Sequence, residues 1–242
     1  MMPEFDRPAI FPKGILAAIS LRNVAAFPKI GFSPGSRGAL PSDEELTKHR
    51  SILADEIGLP PESLKFQRQI HGDIICKAGR NSEETESDGM ITAETNIGLC
   101  ISIADCAAVL VYCEASRSIG AFHSGWRGTY LKISSCGIEM MRCEFDAQPQ
   151  SMFAYISPCA GGEAYEVGGK VARLFSKTRH ISGDKYTLDI RAEIRDELIA
   201  AGISPGRIEC SDACTIRDHL YHSYRRDSNT SGRMAAIIAM KP

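Results

Sequence analysis

Apolar residues recur along this chain in short runs separated by polar and glycine-rich segments, a pattern typical of a domain that contains both strands and helices. Apolar runs bounded by turn residues predict strands, at 14–21, 64–70, 73–77, 98–103, 107–113, 118–122, 151–156, 207–211 and 233–240. Helical periodicity predicts helices, at 129–145, 167–176 and 190–201. A capping box at 42–45 predicts one more helix, which follows a loop at 32–41 and should end at Gly58.

One segment combines a histidine, the only tryptophan, an arginine and three glycines, Gly120-Ala121-Phe122-His123-Ser124-Gly125-Trp126-Arg127-Gly128. It is predicted to form the turn between a strand and a helix. A helix that begins near Arg127 directs its free N–H groups at this turn, so the guanidinium and the helix start together form a candidate anion site. The alternative is an ordinary glycine-rich turn with a packed tryptophan and a hydrogen-bonded histidine.

Three chemically reactive side chains fall at the ends of predicted strands, namely His71, Cys106 and His123. Two imidazoles and a thiolate are a good donor set for Zn²⁺, and three protein ligands with a fourth position open are typical of a catalytic zinc site. The same residues also allow a metal-free site in which Cys106 is a nucleophile and His123 is its base. A third alternative is that Cys106 is only a small buried side chain.

Asp105 lies between two apolar strands, where a carboxylate needs a partner or a function. It is a candidate to hold a hydroxyl group of a ligand, or to orient His123 through a hydrogen bond. The sequence leaves both roles open.

Further short segments carry polar or glycine-rich residues at the ends of predicted elements. In chain order the set is Gln69-Ile70-His71-Gly72, Ser87-Asp88-Gly89-Met90-Ile91-Thr92, Ala104-Asp105-Cys106, His123-Ser124-Gly125-Trp126-Arg127-Gly128, Ser157-Pro158-Cys159, Tyr165-Glu166-Val167-Gly168, Cys214-Thr215, and Tyr224-Arg225-Arg226-Asp227 through Gly232-Arg233-Met234. In this order the segments resemble the laccase-domain family. Members of that family are described as multicopper polyphenol oxidoreductases and as purine nucleoside phosphorylases with adenosine deaminase activity.

The resemblance implies an α+β fold, with mixed sheets in a four-layer α/β/β/α arrangement and a single domain over residues 1–242. It implies zinc, with copper possible, held by the residues at the family's ligand positions, His71, Cys106 and His123. It also implies an enzyme that uses phosphate to split adenosine, inosine, guanosine or methylthioadenosine into base and ribose 1-phosphate. Adenosine deaminase activity and a monomeric or homodimeric state complete the expectation.

Given these reactions, catalytic roles are expected for Cys106, His123, Asp105 and Arg127. Zinc that activates a water molecule suits deamination, whereas phosphorolysis needs cations that hold the attacking phosphate. The candidates for binding substrate or phosphate are Arg22, Arg127, Tyr224, Arg225 and Arg226.

Two segments depart from the family pattern. Ser20-Leu21-Arg22-Asn23 keeps an arginine but lacks the paired glycines of the family, and Gly31-Phe32-Ser33 replaces that loop in part. The loop at 227–232 is one residue longer than is usual. Because both loops are expected to shape the substrate pocket, the resemblance defines the metal ligands more closely than the substrate.

Other functions remain as alternatives. A multicopper oxidase needs more imidazoles than the six histidines of this chain, so polyphenol oxidase activity would require a single copper in the zinc pocket. A hydrolase that edits peptidoglycan precursors would use the zinc water or the Cys106 thiolate. A protein that binds a metal or a partner without catalysis would turn over no nucleoside.

The composition and charge of the chain bear on whether it binds nucleic acid, spans a membrane or resides in the cytoplasm. The 242 residues, 43% hydrophobic and 24% charged, have the makeup of one globular domain. The net charge of -2 argues against a basic surface for nucleic acid, and no apolar run is long enough to predict a membrane span. Nine cysteines fit free thiols in the reducing cytoplasm better than disulfides, and the N-terminus lacks the apolar core of a signal peptide.

Overall fold

The computed structural model describes residues 5–22 and 43–242, which form fourteen strands and six helices. The strands are β1 Phe5–Asp6, β2 Ile15–Ser20, β3 Leu64–Lys65, β4 Ile75–Lys77, β5 Gly89–Thr92, β6 Gly98–Ile103, β7 Ala107–Cys113, β8 Ser118–Ser124, β9 Met152–Ile156, β10 Glu166–Gly168, β11 Thr178–Ser182, β12 Lys185–Leu188, β13 Ile208–Cys210 and β14 Met234–Met240. The helices are α1 Asp43–Ile57, α2 Trp126–Tyr130, α3 Ile133–Phe145, α4 Gly169–Ala172, α5 Ile190–Ala200 and α6 Tyr224–Asp227.

Two mixed sheets stack face to face, and helices cover their outer faces. The first sheet has the strand order β1-β2-β14-β6-β3, and the second has the order β13-β9-β7-β8-β5-β4. One apolar cluster fills the space between the sheets, a second packs α3 and α5 on the second sheet, and a third packs α1 on the first. The predicted α+β fold with an α/β/β/α order of layers is therefore confirmed.

Strand β7 shows why the central strands are apolar throughout. Val109 and Val111 face the helices, whereas Ala108 and Leu110 face the first sheet. All four side chains are fully buried. When both faces of a strand are buried, residues pointing to either face are apolar, so the strand appears in the sequence as a continuous apolar run.

The register of strand β8 brings the predicted site residues together. His123 on β8 pairs with Ala108 of β7, two residues after Cys106. On its other side β8 pairs with β5, whose first residue, Gly89, directly follows Asp88. The residues just before β7, the residues just before β5 and the last residues of β8 therefore lie together, at the same end of these three neighbouring strands.

The predicted helix at 190–201 is confirmed as α5. The side chain of Asp189 accepts a hydrogen bond from the backbone N–H of Ala192 at 3.0 Å, which caps the first turn. Gly202 follows the helix with φ +101°, a conformation that favours glycine.

The predicted strand at 64–70 is wrong beyond Lys65. Further along, the side chain of Gln69 takes the place of backbone pairing with β6. Its amide nitrogen donates to the carbonyl of Ser102 at 2.9 Å, and its amide oxygen accepts from the Ser102 N–H at 2.7 Å. The extended piece predicted at 73–77 is strand β4, and it begins at Ile75.

Two helix predictions also need correction. The helix predicted at 129–145 is interrupted at Lys132, which has φ +62°, so it forms as α2 and α3. The helix predicted at 167–176 is reduced to α4, because Glu166–Gly168 pairs with β12 as strand β10. Strands β10, β12 and β11 form a third, small sheet that was not predicted.

Some expectations fall on residues that the structure does not describe. The cap residue Ser42, the loop at 32–41 and the segment Gly31-Phe32-Ser33 all lie outside the described ranges. Helix α1 begins at Asp43 and ends at Ile57, directly before Gly58, as predicted. No helix in 5–22 or 43–242 combines the length and the apolar character needed to cross a membrane.

Candidate active site

His71, Cys106 and His123 form a compact cluster, with ligand atoms that all lie within 4.8 Å of one another. His123 is buried on β8, Cys106 is half-buried in the turn before β7, and His71 is exposed. The cluster is therefore reached from the side of His71. Elsewhere in the described ranges, no group of three histidine, cysteine or acidic side chains lies close enough to share a metal ion.

Asp88 holds two of these residues in place. Its carboxylate is fully buried, and Oδ1 accepts hydrogen bonds from His123 Nδ1 at 2.7 Å and from the His71 N–H at 2.9 Å. Oδ2 accepts from the backbone N–H groups of Ile70 and Gly72, at 3.1 and 2.8 Å. These bonds stabilise a turn in which His71 has φ +63°, an uncommon conformation for a residue other than glycine. One carboxylate thus fixes both the turn and the imidazole.

The electrostatics of the cluster favour a thiolate. Burial alone would raise the pKa of Cys106, but the neighbouring His123 and His71 lower it well below its usual value. Burial alone would lower the pKa of His123, and Cys106 and Asp88 raise it instead. Because Asp88 occupies Nδ1 of His123, Nε2 is the nitrogen left to bind a metal ion. Two imidazoles and a thiolate fit the donor preferences of Zn²⁺.

Asp105 has a different role from one of those predicted. It has φ +87°, and its Oδ1 accepts from the hydroxyl of Thr215 at 2.7 Å. Its Oδ2 accepts from the backbone N–H of Arg225 at 2.6 Å. The carboxylate that bonds to His123 Nδ1 is Asp88, so the prediction that Asp105 orients His123 is corrected. Asp105 instead ties the segments around residues 215 and 225 to the turn that carries Cys106.

The predicted anion ligands fall into two groups. Arg226 uses every nitrogen of its guanidinium within the protein, on the carboxylate of Asp227 and on backbone carbonyls. Arg22 donates to the same carboxylate at 3.3 Å. Arg226 therefore organises its own loop and has no free N–H group for phosphate. Arg127 and Arg225 are exposed and remain candidates.

An open cavity of about 340 Å³ lies at Trp126, three residues after His123. Trp126 and Tyr165 line it, and each ring has a guanidinium nearby. Arg127 Cζ lies 4.4 Å from the ring centre of Trp126, and Arg225 Cζ lies 5.3 Å from that of Tyr165. Burial raises the pKa of Tyr165, and the negative charge of nearby Cys106 raises it further. The cavity thus combines two aromatic rings with the guanidinium of Arg225, and the guanidinium of Arg127 lies at one of the rings.

Comparison with known proteins places the chain in a family. A model of the multi-copper polyphenol oxidoreductase laccase family matches residues 39–241. The chain belongs to this family. The resemblance predicted from the eight segments is thereby confirmed.

Relatives within this laccase family carry the name of a different activity. The chain is 30% identical to the purine nucleoside phosphorylase YfiH of Escherichia coli, over 94% of each chain. It is 31% identical to a purine nucleoside phosphorylase of Xylella fastidiosa, over 96% of this chain and 94% of the relative. Among solved structures, YlmD of Geobacillus stearothermophilus has the same fold, with a TM-score of 0.89 at 24% identity over 98% of this chain and 96% of that one.

Two further residues belong to the site of this family member, although the sequence assigned them no role. Asp88 and Arg233 both lie in the segments that carry the family resemblance. Burial lowers the pKa of Arg233, and the negative charges of Cys106 and Asp105 act in the opposite direction. Its Cζ lies 5.5 Å from the ring centre of Tyr224, another predicted substrate ligand.

Gly125 provides a test of how tightly the cluster is packed. A Cβ atom at this position would lie 2.7 Å from Cys106 Sγ and 3.6 Å from His71 Cδ2. Gly125→Ala should therefore displace the thiolate, at a cost of about 1 to 3 kcal/mol, which corresponds to roughly 5- to 150-fold weaker zinc binding. Zinc competition with a chromophoric chelator measures this change. Gly206→Ala is the matched control, because its Cβ meets nothing within 4 Å. Equal zinc affinity in both variants would show that the cluster accommodates the added methyl group without weaker zinc binding.

Proposed function

We propose that this chain is a metal-dependent purine nucleoside phosphorylase that also deaminates adenosine. Its substrates are adenosine, inosine, guanosine or methylthioadenosine, which phosphate converts into the free base and ribose 1-phosphate. The observation that carries the proposal is the His71, Cys106 and His123 cluster together with a cavity at Trp126, three residues after His123, whose two aromatic rings each have an exposed guanidinium nearby. The names of the relatives support the same reaction.

The donor set favours zinc, with copper as a second possibility at an N/S site. His71 and Cys106 would hold the ion together with Nε2 of His123, while Asp88 keeps that imidazole in position. When bound, zinc would supply the Lewis acidity that activates water for deamination.

The chain itself supplies the groups that bind the nucleoside and the phosphate. Trp126 and Tyr165 offer ring faces to a planar purine base. Arg127 and Arg225, at the same rings, are placed to hold a phosphate by charge-assisted hydrogen bonds. A phosphate held beside the ribose is oriented for attack on the carbon that carries the base.

One experiment tests both activities. Zinc-loaded protein is incubated with adenosine, with and without phosphate, and the products are identified. We expect adenine and ribose 1-phosphate only when phosphate is present, and inosine in both cases. Removal of the metal with a chelator should abolish deamination, and restored zinc should recover it. If neither product forms, the chain is not a nucleoside enzyme.

A cysteine hydrolase is the competing function, because Cys106 lies directly beside His123. Such an enzyme, for example one that edits peptidoglycan precursors, would need no metal. Metal-free protein that stays active, and that a thiol-alkylating reagent inactivates by labelling Cys106, would establish this alternative. Alkylation of zinc-loaded protein should be slow if Cys106 is a metal ligand.

Arg127 should separate the two activities. If it holds the attacking phosphate, Arg127→Ala should lower phosphorolysis by roughly 30-fold to 1000-fold, or about 2 to 4 kcal/mol. Deamination needs no phosphate, so the formation of inosine should fall much less. Arg127→Lys keeps the charge but loses the two-pronged geometry, so it should also impair phosphorolysis.

The matched control for this experiment is Arg142→Ala, an exposed arginine on α3 that pairs with Glu139. Both product yields should match those of the unmodified protein. An equal loss of both activities in Arg127→Ala, with zinc retained, would assign Arg127 to the common nucleoside pocket. Arg225 would then be the remaining exposed candidate for phosphate.

A further inference from the structure

One wall of the cavity carries charges of both signs. Strands β10 and β12 and the turn before β12 contribute Glu166, Asp184 and Lys185 to its lining. Lys185 Nζ lies 3.9 Å from Glu166 Oε2, and their side chains are 68% and 55% exposed. An ion pair this long and this exposed is weak, so a ligand can take over either partner at little cost.

Two glycines leave room for the Asp184 carboxylate at this wall. A Cβ at Gly169 would clash with Asp184 Oδ1, and one at Gly168 would lie 3.6 Å from Oδ2. The carboxylate therefore rests against bare backbone, and Gly183, with φ +54°, turns the chain just before it. Within the described part of the chain Asp184 has no ion-pair partner, so its charge is available to a ligand.

The proposed function defines which part of a nucleoside reaches this wall. If the amino-bearing carbon of adenine faces His71, Cys106 and His123, the ribose extends from the opposite end of the purine. The 5′ carbon is then the part of the nucleoside farthest from the cluster. With the purine on the rings of Trp126 and Tyr165, the side chains of the same cavity left to meet the 5′ substituent include Asp184, Glu166 and Lys185, and the cavity of about 340 Å³ has the size of a small-ligand site.

We propose that this site binds purine nucleosides whose 5′ substituent ends in a zwitterionic amino-acid group. The ammonium of such a group pairs with Asp184 and Glu166, and its carboxylate pairs with Lys185. A 5′ phosphate could pair with Lys185 but would be repelled by Asp184 and Glu166, and an apolar 5′ substituent would pair with none of the three. This inference rests on the proposed function for the placement of the purine.

The test compares two 5′-thioether nucleosides by calorimetry on zinc-loaded protein. S-adenosylhomocysteine carries the zwitterion, and methylthioadenosine has the same purine, ribose and sulfur without it. We expect S-adenosylhomocysteine to bind about tenfold more tightly, the effect of a charge-assisted contact at a partly exposed site. Asp184→Asn and Lys185→Gln should each remove most of this advantage, so that the ratio of the two affinities falls toward one. Glu139→Gln on α3 is the control and should change neither affinity.

The outcomes separate the inference from the proposed function. If methylthioadenosine binds and is split by phosphate, but S-adenosylhomocysteine binds no better, the inference fails and the proposed function stands. An advantage that survives both substitutions also overturns the inference, because the zwitterion would then bind elsewhere. If neither nucleoside binds, both proposals fail. Methionine alone, which carries the zwitterion and a thioether but no free thiol, should bind far more weakly when titrated in parallel, since it lacks the purine.

Discussion

Cys106→Ala is expected to empty the metal site, lowering the zinc content from about one ion per chain to a small fraction of that value. The thiolate is the one anionic ligand of the cluster, and its loss leaves only two imidazoles, one of them exposed. Outer-shell changes already weaken zinc binding by about 10- to 100-fold, and loss of a direct ligand should exceed that range. Deamination and any phosphorolysis that needs the metal should fall with it. Elemental analysis after dialysis against a zinc buffer measures the occupancy.

Cys76→Ala is the matched control for this substitution. Cys76 is also half-buried, but it lies on β4 outside the cluster and contacts Gln67 and Ser87. It should retain full zinc. If Cys106→Ala retains full zinc as well, the ligand assignment is wrong, and the metal, if there is one, is held elsewhere.

The buried strands and helices were predictable because burial imposes patterns that a sequence displays, whereas the order of the layers was implied by the family resemblance. Strands β7 and β14 are buried on both faces, so each is a continuous apolar run. Helix α5 shows an apolar stripe with a cap before it and a glycine after it. The sheet of β10, β12 and β11 gave no such signal, because most of its residues are exposed and polar. The break at Lys132 was equally hidden, since lysine rarely adopts a positive φ.

The three residues of the cluster could be singled out from the sequence because each is the most reactive residue at a strand end. Their supporting contacts could not. Asp88 bonds mainly to backbone N–H groups, which every residue except proline carries, so no sequence pattern marks them. The partners of Asp105 lie more than 100 residues away, at Thr215 and Arg225. Only the folded structure shows that Asp88 bonds to His71 and His123, whereas Asp105 bonds to Thr215 and Arg225.

Asp88→Asn should therefore disrupt the site more than any other substitution outside the ligands. An amide keeps the shape of the carboxylate, but its NH₂ group cannot accept hydrogen bonds. Whichever way it turns, at least two of the four donors on His71, His123, Ile70 and Gly72 lose their acceptor. A buried donor without a partner costs about 1 to 3 kcal/mol, so the free energy of unfolding should fall by at least that amount. Zinc affinity should fall by about 10- to 100-fold, as for other groups that orient a ligand histidine.

Asp105→Asn is the matched comparison, since it makes the same chemical change to a carboxylate of the same site. Its partners are the hydroxyl of Thr215 and the N–H of Arg225, and neither is a metal ligand. We expect Asp105→Asn to leave zinc affinity nearly unchanged and to raise the KM for nucleoside, because the loop that carries Arg225 loosens. Zinc competition and denaturant unfolding, measured on both variants, separate the two roles. If Asp105→Asn weakens zinc binding and Asp88→Asn does not, then Asp105 orients His123 in solution and the division of roles described here is reversed.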